Sequence, residues 1–370
     1  MKILQISTYY LPNFGGIEQV AHDFSKILKK QGNEVRVVCF NSSKNYVEDE
    51  YEGIYIYRIG YLGKIASQAI SFAYLNKLKK IIKEFDPDVI HIHLPNPLIV
   101  FYLNIINPKC KITVHWHSDI VRQKKLKKLY APVEKKFLKK VCKIIATSSE
   151  YIDYSDVLPD YKEKVIVIPN IVNTSFLDNK DNDKDVIKKI KSNYENKKII
   201  FFIGVHRLYK GIIYLVKAAK YLDSNYQVVI AGSGPLTNEL KDTANSLGLM
   251  NIDFIGRISD QEKRAYLKAA EIFAFPSITK NEAFGIALAE ALYCGTPAVT
   301  FTIEGSGVNW VNKNGLTGIE VNELDEKKYA EALLKVSKRK YGKNARQWVV
   351  DNFTEDKIYT KVKKFFKDLV

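Results

Sequence analysis

The fold of this chain is decided by the stretch IIFFIGVHRLYKGIIYLVKAAKYLDSNYQVVIA, residues 199–231. It begins with the apolar run Ile199–Ile203 and ends with a second run, Gln227–Ala231, and both have the length of buried strands. Between them lies the stretch Gly204–Gly211, which follows the first strand and precedes a helix. A strand, a helix and a second strand in this order predict a parallel pair joined by a crossover helix.

The same alternation runs through both halves of the chain. In the first half we predict strands at Lys2–Ser7, Glu34–Phe40, Asp88–His93, Lys111–His115, Lys143–Thr147 and Val165–Ile168. In the second half we predict them at Ile199–Ile203, Gln227–Ala231, Ile252–Ile255, Ile272–Phe275 and Ala298–Phe301. The pattern predicts an α/β fold of two doubly wound parallel-sheet domains, with ligands beyond the C-terminal ends of the strands. If two such domains face each other, the active site is expected in the cleft between them.

Domain boundaries are predicted from breaks in this pattern. The polar stretch 178–185 has little to bury and is interpreted as a surface linker or insertion. We therefore predict one domain over residues 1–174, a second over 175–345, and a closing segment over 346–370. The last segment contains an amphipathic helix.

Composition narrows the class of protein. A chain of 370 residues, 46% hydrophobic and 26% charged, is typical of a globular protein with two domains. Its four cysteines have no metal-like spacing, which favours reduced structural thiols. The N-terminus is expected to be a strand rather than a signal peptide, and no apolar run is long enough to span a bilayer. We therefore expect a chain that is neither secreted nor integral to a membrane.

Two carboxylates stand out in SITKNEAFGIALAEALYCGTP, residues 277–297. Glu282 is predicted in a loop, and Glu290 about two turns into an apolar helix that begins near Phe284. A helix start offers free backbone N–H groups that suit an anionic or polyhydroxylated ligand. A carboxylate on the buried side of a helix needs a partner, such as a pair of hydroxyls. The pair favours a sugar or sugar-phosphate site, although surface glutamates on an amphipathic helix remain the alternative.

Glycines and histidines near predicted strand ends are further candidates. Gly15 and Gly16 open a helix after the first strand, where a glycine pair lets backbone approach a ligand closely. His115 and His117 lie two residues apart, which places them on one face if the strand extends through both. No third ligand of recognisable spacing accompanies them, so zinc is not expected. His91 and His93 are interpreted as strand-end residues that line the edge of the cleft.

Together these motifs resemble the retaining glycosyltransferases of family 4, which have the GT-B fold. The resemblance rests on Glu282-x7-Glu290, Gly295-Thr-Pro297 and the glycine turn Ala231–Pro235, and it covers nearly the whole chain. It implies two Rossmann-like domains that face each other across a cleft. Residues 1–174 would be the acceptor side, 175–345 the nucleotide-sugar side, and 346–370 would pack back on the first domain.

The resemblance also implies a set of site residues. Catalytic roles fall to His117, Glu282 and Lys210, with His117 a better match to the family histidine than His115. Substrate binding is implied for Gly15, Gly16, His115, Arg207, Gly234, Arg257, Ala283, Phe284, Gly285 and Glu290. Cationic side chains and a helix start would balance the diphosphate, so neither a metal nor another cofactor is expected.

The chain departs from the family pattern beside the diphosphate. The family places Arg directly after Gly204 and Lys five residues later. Lys210 matches, but Val205 occupies the arginine position, so one phosphate contact is in doubt unless Arg207 substitutes for it. Ile171 and Asn173 stand where the family hinge often has Gly and Asp.

Positive charge concentrates in residues 122–140, where nine Lys or Arg residues accompany the single acid Glu134. Pro132 is expected to kink or divide this helix. A basic amphipathic segment favours an anionic membrane surface, with a solvated helix face as the alternative. Nucleic acid is not expected, since no nucleic-acid-binding motif accompanies the net charge of +16.

The predicted activity is the retaining transfer of a hexose from a nucleotide sugar to a lipid-linked glycan, on the cytoplasmic face of the cell membrane. The segment His117–Lys124 resembles bacterial O-antigen and capsule mannosyltransferases, which favours GDP-mannose as donor. UDP-linked glucose, galactose or N-acetylhexosamines are the rival donors. A GT-B epimerase, a phosphorylase and a non-catalytic sugar-nucleotide binder would share the fold. These three classes of protein are the alternatives to a glycosyltransferase.

Overall fold

A computed structural model describes residues 1–13, 15–65, 68–120, 124–178 and 183–369. The chain divides into two compact units. The first contains Met1–Pro169 and the C-terminal segment from Ile358, and the second contains Asn170–Lys357. Residues 346–357 thus belong with the second unit rather than with the closing segment, because Val349 and Phe353 are buried in its core.

The first unit is built on a sheet that is parallel except at one edge. Its strand order is β10-β9-β8-β7-β1-β2-β4-β3, and only β3 runs antiparallel to its neighbour. A separate antiparallel pair is formed by β5 and β6. The strands are β1 Lys2–Ile6, β2 Glu34–Phe40, β3 Val47–Tyr51, β4 Ile54–Ile59, β5 Gly63–Ile65, β6 Gln68–Ile70, β7 Val89–Leu94, β8 Lys111–Trp116, β9 Lys143–Ala146 and β10 Val165–Val167.

The second unit has an all-parallel sheet of order β13-β12-β11-β14-β15-β16. Its strands are β11 Lys198–Ile203, β12 Tyr226–Ala231, β13 Ile252–Gly256, β14 Ile272–Phe275, β15 Ala298–Phe301 and β16 Gly318–Val321. Sheet order reverses direction around β11 and β14, which places the loops after these two strands side by side. That is where doubly wound sheets bind ligands.

Helices connect the strands in both units. They are α1 Gly16–Lys30, α2 Phe72–Phe85, α3 Pro97–Ile106, α4 Lys124–Lys140, α5 Ser149–Tyr154, α6 Thr174–Asp178, α7 Asp183–Asn193, α8 Ile212–Ala218, α9 Thr237–Ser246, α10 Asp260–Ala269, α11 Ile286–Tyr293, α12 Val308–Val311, α13 Glu326–Lys335, α14 Lys338–Asn352 and α15 Glu355–Lys367. Short 3₁₀ turns lie at Leu158–Lys164, Leu208–Lys210 and Ala219–Tyr221.

The predicted strands agree with the structure to within about a residue at each end, because fully buried parallel strands appear as short apolar runs. Strands β3, β4, β5, β6 and β16 are absent from the predicted set. Of these, β3 and β4 form a hairpin whose turn residues, Glu52 and Gly53, both have positive φ. Alternating exposure in β3, where Glu48 faces solvent, leaves no apolar run to recognise.

Two other expectations are narrowed by the structure. Of the kink or division predicted at Pro132, a division is excluded, because α4 is one helix through this residue. The polar stretch 178–185 is not purely a surface linker, because Asp183 is buried at the start of α7 and pairs with Arg264 and Lys268 at 2.7 and 2.6 Å. Residues 179–182 lie outside the described residues. Among those described, no helix has both the length and the apolar character needed to cross a bilayer.

Candidate active site

The loops that leave β11, β12 and β13 are joined to one another at the carboxyl edge of the second sheet. His206 donates its backbone N–H to the Ser233 carbonyl at 3.2 Å, and Gly232 donates to the Gly256 carbonyl at 2.6 Å. The loop after β14 joins them where the N–H of Ile278 donates to the carbonyl of Tyr209 at 2.9 Å. We call residues 204–211, 232–236, 256–259 and 276–285 the donor-side loops.

Gly234 is required by the closeness of two of these loops. A Cβ at this position would lie 2.6 Å from the carbonyl oxygen of His206. The His206 ring is buried, and its Nδ1 lies 2.9 Å from the hydroxyl of Thr237 at the start of α9. The glycine turn and the loop after β11 therefore form one rigid element.

Lys210 and Glu282 form an ion pair between the loops after β11 and β14. Both side chains are 13% exposed, and the Ser277 hydroxyl donates to the same carboxylate oxygen at 3.3 Å. The Lys210 ammonium also lies 5.0 Å from the centre of the Phe275 ring. A partly buried cation and carboxylate thus stand in contact at the carboxyl ends of two neighbouring strands.

The segment Ala283–Gly285 leads from Glu282 into α11. Gly285 has φ of 84°, and a Cβ there would lie 3.0 Å from the Phe275 ring. Helix α11 therefore begins at Ile286, slightly later than predicted. The Phe284 side chain is buried against Phe353, with ring centres 5.3 Å apart, so only the backbone of this segment is available to a ligand.

Glu290 lies on α11 with only 7% of its surface exposed. Its partner is Lys263 of α10, whose ammonium lies 2.8 Å from Oε1 and 2.7 Å from Oε2. Sequence reasoning anticipated that Glu290 needs a partner but missed Lys263. No spacing rule links two residues on different helices, so the pair emerges only when α10 and α11 pack together.

Three further residues in the donor-side loops differ in how they are held. Arg207 is exposed, and its guanidinium makes no hydrogen bond or ion pair with another residue that the structure describes. Val205, at the usual arginine position, is 50% exposed. Arg257 donates from Nε to the Ser233 hydroxyl at 3.4 Å, which brings it to the glycine turn that contains Gly234. The two arginines thus supply cationic side chains at this edge of the sheet.

In the first unit, Gly15 and Gly16 begin α1 as predicted, and Phe14 lies outside the described residues. The Glu18 carboxylate folds back over Gly15, so that a Cβ on that glycine would lie 2.1 Å from Oε2. Burial raises the pKa of Glu18. An anion bound at this helix start would have to displace that side chain.

His115 and His117 lie in one row with His91 and His93, on one face of β7 and β8. The register pairs His93 with His115. Strand β8 ends at Trp116, so the strand does not extend through His117 as the prediction assumed. The rings of His115 and His117 are nevertheless near parallel, with centres 4.4 Å apart and 9° between planes. His91 and His93 do not line an edge. They are buried, because the whole of β7 is covered on both faces.

Burial keeps the four rings neutral. It lowers the pKa of His91 and of His117 to about 3, and the pKa values of His93 and His115 also lie well below the usual range. Ring nitrogens of His91, His93 and His115 come within 4.8 Å of one another. Spacing along the chain did not reveal this group of three possible metal ligands, because its members lie on two neighbouring strands. We interpret the row as a stack of neutral rings in which one pair, His93 and His117, is hydrogen-bonded.

The basic segment is helix α4, which packs on α3 through a 2.9 Å bond from the Asn104 amide to the Val133 carbonyl. Exposed apolar side chains lie on both helices, with Leu129 76% and Ile105 53% exposed. Burial raises the pKa of Glu134 to about 7. Among the described residues of α4, the exposed lysines are Lys128, Lys135, Lys136, Lys139 and Lys140. Arg122 and its two neighbours lie outside the described residues.

Similarity to known proteins covers both units. Residues 14–176 match the family described as Glycosyltransferase Family 4, and residues 183–352 match Glycosyl transferases group 1. The O-antigen chain mannosyltransferase C of Escherichia coli is 32% identical over 96% of this chain and 95% of its own. The D-rhamnosyltransferase WbpZ of Pseudomonas aeruginosa is 33% identical over 90% of this chain and 86% of its own.

A solved structure matches the fold at full length. Anabaena HepE, in complex with UDP and glucose, superposes with a TM-score of 0.80 at 17% identity and covers 99% of both chains. At that identity the likeness concerns the fold alone. It confirms the predicted GT-B architecture of two parallel-sheet α/β domains.

Proposed function

The chain belongs to glycosyltransferase family 4, and on that premise we propose that it transfers a hexose with retention from a nucleotide sugar to a lipid-linked glycan. Mannose from GDP-mannose is the favoured donor. The observation that carries the proposal is the pairing of Lys210 with Glu282 at the carboxyl ends of β11 and β14.

Donor binding would exchange this ion pair for two contacts with the substrate. Lys210 would turn to the diphosphate, and Glu282 would accept hydrogen bonds from hydroxyls of the donor sugar. Both groups are only 13% exposed, so each is partly desolvated before the ligand arrives. Charges held in place at a partly dry site stabilise developing charge without reorganisation, which is the main source of catalysis in such reactions.

The remaining donor-side loops would hold the nucleotide. Arg207, which has no partner among the described residues, would assist Lys210 at the diphosphate. The glycine turn at Gly234 and the neighbouring Arg257 would lie against the nucleoside. The backbone of Ala283–Gly285 would hold the sugar beside Glu282.

Glu290 would bind the two ribose hydroxyls. Its carboxylate is buried, and among the described residues its cationic partner is Lys263, at 2.8 Å. Lys263 balances the charge of Glu290 and leaves acceptor capacity on its two oxygens, which a pair of hydroxyls can use.

We propose a front-face substitution. The bond from the anomeric carbon to the diphosphate oxygen breaks, and the acceptor hydroxyl attacks that carbon from the same side. The leaving diphosphate takes the hydroxyl proton, and Lys210 with Arg207 balances its negative charge. His117, with His115 beneath it, would contact the sugar near the reacting carbon. Gly15 and Gly16 would approach the donor diphosphate once Glu18 moves away.

No metal or other cofactor is proposed, because cationic side chains and the start of α11 supply the positive charge that a divalent ion provides elsewhere. Transfer is therefore expected to proceed at full rate in EDTA. An activity that EDTA abolishes and Mg²⁺ or Mn²⁺ restores would contradict this.

Donor identity is tested by thermal unfolding with GDP, UDP, GDP-mannose and UDP-sugars. A ligand of the folded state at a hundred times its Kd stabilises by about 2.7 kcal/mol. We expect GDP and GDP-mannose to raise Tm in the wild type. Stabilisation by uridine nucleotides alone would overturn the mannose proposal and support a UDP-sugar donor.

Product analysis separates transfer from the competing activities. With the stabilising donor, a transferase forms a new α-glycoside on a lipid-linked acceptor and releases the nucleoside diphosphate. An epimerase would change the donor sugar without an acceptor, and a non-catalytic binder would leave the donor intact. Either result would overturn the proposed function.

The acceptor would be reached from an anionic membrane surface through α4, on the cytoplasmic face. Support comes from its exposed lysines beside exposed Leu129 and from exposed Ile105 on α3. Each basic residue near an anionic surface contributes about 1 kcal/mol. Reversing Lys135, Lys136 and Lys139 to Glu should therefore weaken binding to phosphatidylglycerol vesicles by about two orders of magnitude.

A matched control reverses three exposed lysines of the second unit, Lys327, Lys335 and Lys340, with the same change in net charge. Vesicle co-sedimentation should be little affected by that variant. Equal losses in the two variants would mean that only overall charge matters, and would contradict a binding surface on α4.

A further inference from the structure

The proposed function uses only one end of the histidine row, and the rest of the row has no assigned role. His91 and His93 are two residues apart on β7, so their side chains lie on one face of the sheet, which is also the face of His115 on β8. Phe24 of α1 packs on His91 and His115, with ring centres 5.9 and 4.7 Å away. The inner rings are thus enclosed by apolar side chains, whereas His117 retains 7% exposure.

Hydrogen bonds account for only part of the row. His91 Nδ1 lies 2.8 Å from the Thr113 hydroxyl, and His93 Nδ1 lies 2.8 Å from His117 Nε2. The Nε2 atoms of His91 and His93 and both ring nitrogens of His115 are buried without a hydrogen-bond partner in the described structure. Among the described residues, the ring of His117 has one hydrogen-bond partner, which is His93.

The direction of that bond follows from the cost of burying unpaired groups. If His117 donated, the proton of neutral His93 would sit on Nε2, a buried donor with no partner among the described residues. If His93 donates from Nδ1, its Nε2 is a bare acceptor. Orphaned buried N–H groups are rarer in proteins than under-satisfied acceptors, so the second arrangement is favoured.

We propose that His93 is a positioning residue that donates its Nδ1–H to His117 Nε2 and holds His117 in the Nδ1–H tautomer. His117 then presents a hydrogen-bond donor to an oxygen of the bound sugar. The hydrogen bond at one imidazole nitrogen decides which nitrogen carries the proton. The sugar contact rests on the proposed function of His117, but the tautomer does not.

The tautomer has a chemical consequence. With Nε2 occupied by His93 and Nδ1 protonated, neutral His117 has no free lone pair with which to accept a proton. It can orient and stabilise the sugar but cannot act as the base that activates the acceptor. This agrees with a mechanism in which the leaving diphosphate takes that proton.

The test is side-chain ¹⁵N NMR of the whole protein labelled at histidine. The chain has 6 histidines, so the ring signals are few, and loss of one set in His117→Gln assigns that residue. We expect wild-type His117 to be protonated at Nδ1 and bare at Nε2. In His93→Leu its signals should move towards a mixture of tautomers. In His93→Asn, whose amide can donate from near the Nδ1 position, they should return.

The matched control is His91→Asn. It removes a buried histidine from the same strand, but His91 bonds Thr113 and makes no hydrogen bond to His117. Its His117 signals should remain those of the wild type. A wild-type His117 protonated at Nε2 would overturn the proposal, and so would an unchanged His117 in folded His93→Leu. One bound equivalent of metal would do the same, since a metal would take the place of a ring proton.

Kinetics then connect the tautomer to transfer. His93→Leu should lower kcat/KM about tenfold, the scale of one net hydrogen bond. His93→Asn should recover most of that loss, and His91→Asn should keep the wild-type value. Equal losses in both Asn variants would indicate a purely structural effect and overturn the positioning role. If no transfer is found at all, the proposed function fails, but the NMR result still decides the tautomer. If His93→Leu does not fold, the wild-type spectrum alone decides the tautomer.

Discussion

The donor-side loops of the second unit and the histidine row of the first hold titratable groups in opposite ways. The loops pair full charges, Lys210 with Glu282 and, behind them, Lys263 with Glu290. The row consists of neutral rings, because burial lowers the pKa values of all four histidines, and one pair of them, His93 and His117, is hydrogen-bonded. The charged groups of the loops can exchange their partners for a ligand, whereas the neutral rings of the row can only orient a ligand through hydrogen bonds.

This difference has a physical origin. An ion pair that retains some exposure can release each member to a ligand that brings the matching charge or hydroxyl. A ring buried among aromatic side chains cannot gain a proton without a large desolvation cost. We therefore propose that the second unit compensates charge during transfer and that the first fixes the direction of a hydrogen bond.

The largest effect is expected from Glu282→Gln, which breaks the exchangeable pair. The carboxylate that accepts sugar hydroxyls is lost, while the side chain keeps its size. By analogy with removal of a single transition-state contact, kcat/KM should fall about a thousandfold, with nucleotide binding retained. Steady-state transfer assays check this, with exposed Glu331→Gln of α13 as the control. A loss below tenfold would move the sugar contact away from Glu282.

The buried histidine row should make the free energy of unfolding depend on pH in the acid range. Unfolded histidines take up protons below about pH 6.5, whereas folded His91 does so only near its pKa of about 3. The unfolded state therefore binds more protons between these values. The free energy of unfolding should fall as the pH drops through this window, by up to about 1.4 kcal/mol per pH unit for each such histidine.

Replacing one ring should make that dependence shallower. In His91→Phe the folded and unfolded states no longer differ in protonation at this position, so the slope should decrease by up to about 1.4 kcal/mol per pH unit. Urea unfolding at several pH values between 4 and 6.5 measures both slopes, and carboxylate contributions cancel in the comparison. Identical slopes would mean that His91 is not held neutral by burial.

A smaller effect is expected when the positive charge of Lys263, the partner of Glu290, is removed. In Lys263→Met, buried Glu290 loses its cationic partner, and its contact with the ribose weakens. The donor KM should rise about tenfold with kcat little changed, as expected when an interaction is equal in ground and transition states. Lys268→Met is the matched control, because Lys268 lies on the same helix and pairs with Asp183 instead. Equal effects on KM would contradict a specific role for Lys263.

The smallest expected effect is a gain in affinity for the donor. Val205 is 50% exposed, so an arginine fits there without disturbing the core. Val205→Arg would add a cation near the diphosphate, and the Kd of the donor should fall about threefold, the scale of an exposed charge contact. Titration calorimetry in low and high salt checks this, with Leu208→Arg, also exposed, as the control. Weaker binding in Val205→Arg would mean that Arg207 already fills the arginine role.

Much of the fold could be predicted because its strands are buried on both faces. Runs such as Ile199–Ile203 and Ile272–Phe275 are short, apolar and regularly spaced, which is typical of parallel sheets. Strand β3 could not be predicted, since it lies at the exposed edge of its sheet, whereas β4 is a largely buried strand that the prediction missed. Of the two outcomes predicted for Pro132, a division of the helix does not occur, since α4 is continuous through it and packs on α3.

The site residues were located by motif, but their partners were not. Glycines at 234 and 285 can be identified from sequence because close approach and positive φ constrain them locally. Lys263 and His93 carry no such signal, since each acts through a residue on another element. Their roles in ligand binding stay predictions until the variants above are measured.

The amino-acid sequence by itself determined which segments become strands, where glycine loops follow them, and which charged residues lie at strand ends, because these depend on local periodicity and backbone freedom. Only the tertiary structure decided that Lys210 meets Glu282, that Lys263 meets Glu290, and that His93 bonds His117. Pairing between residues distant in sequence depends on sheet order and register. Those are set by the packing of the whole unit, and no local pattern encodes them.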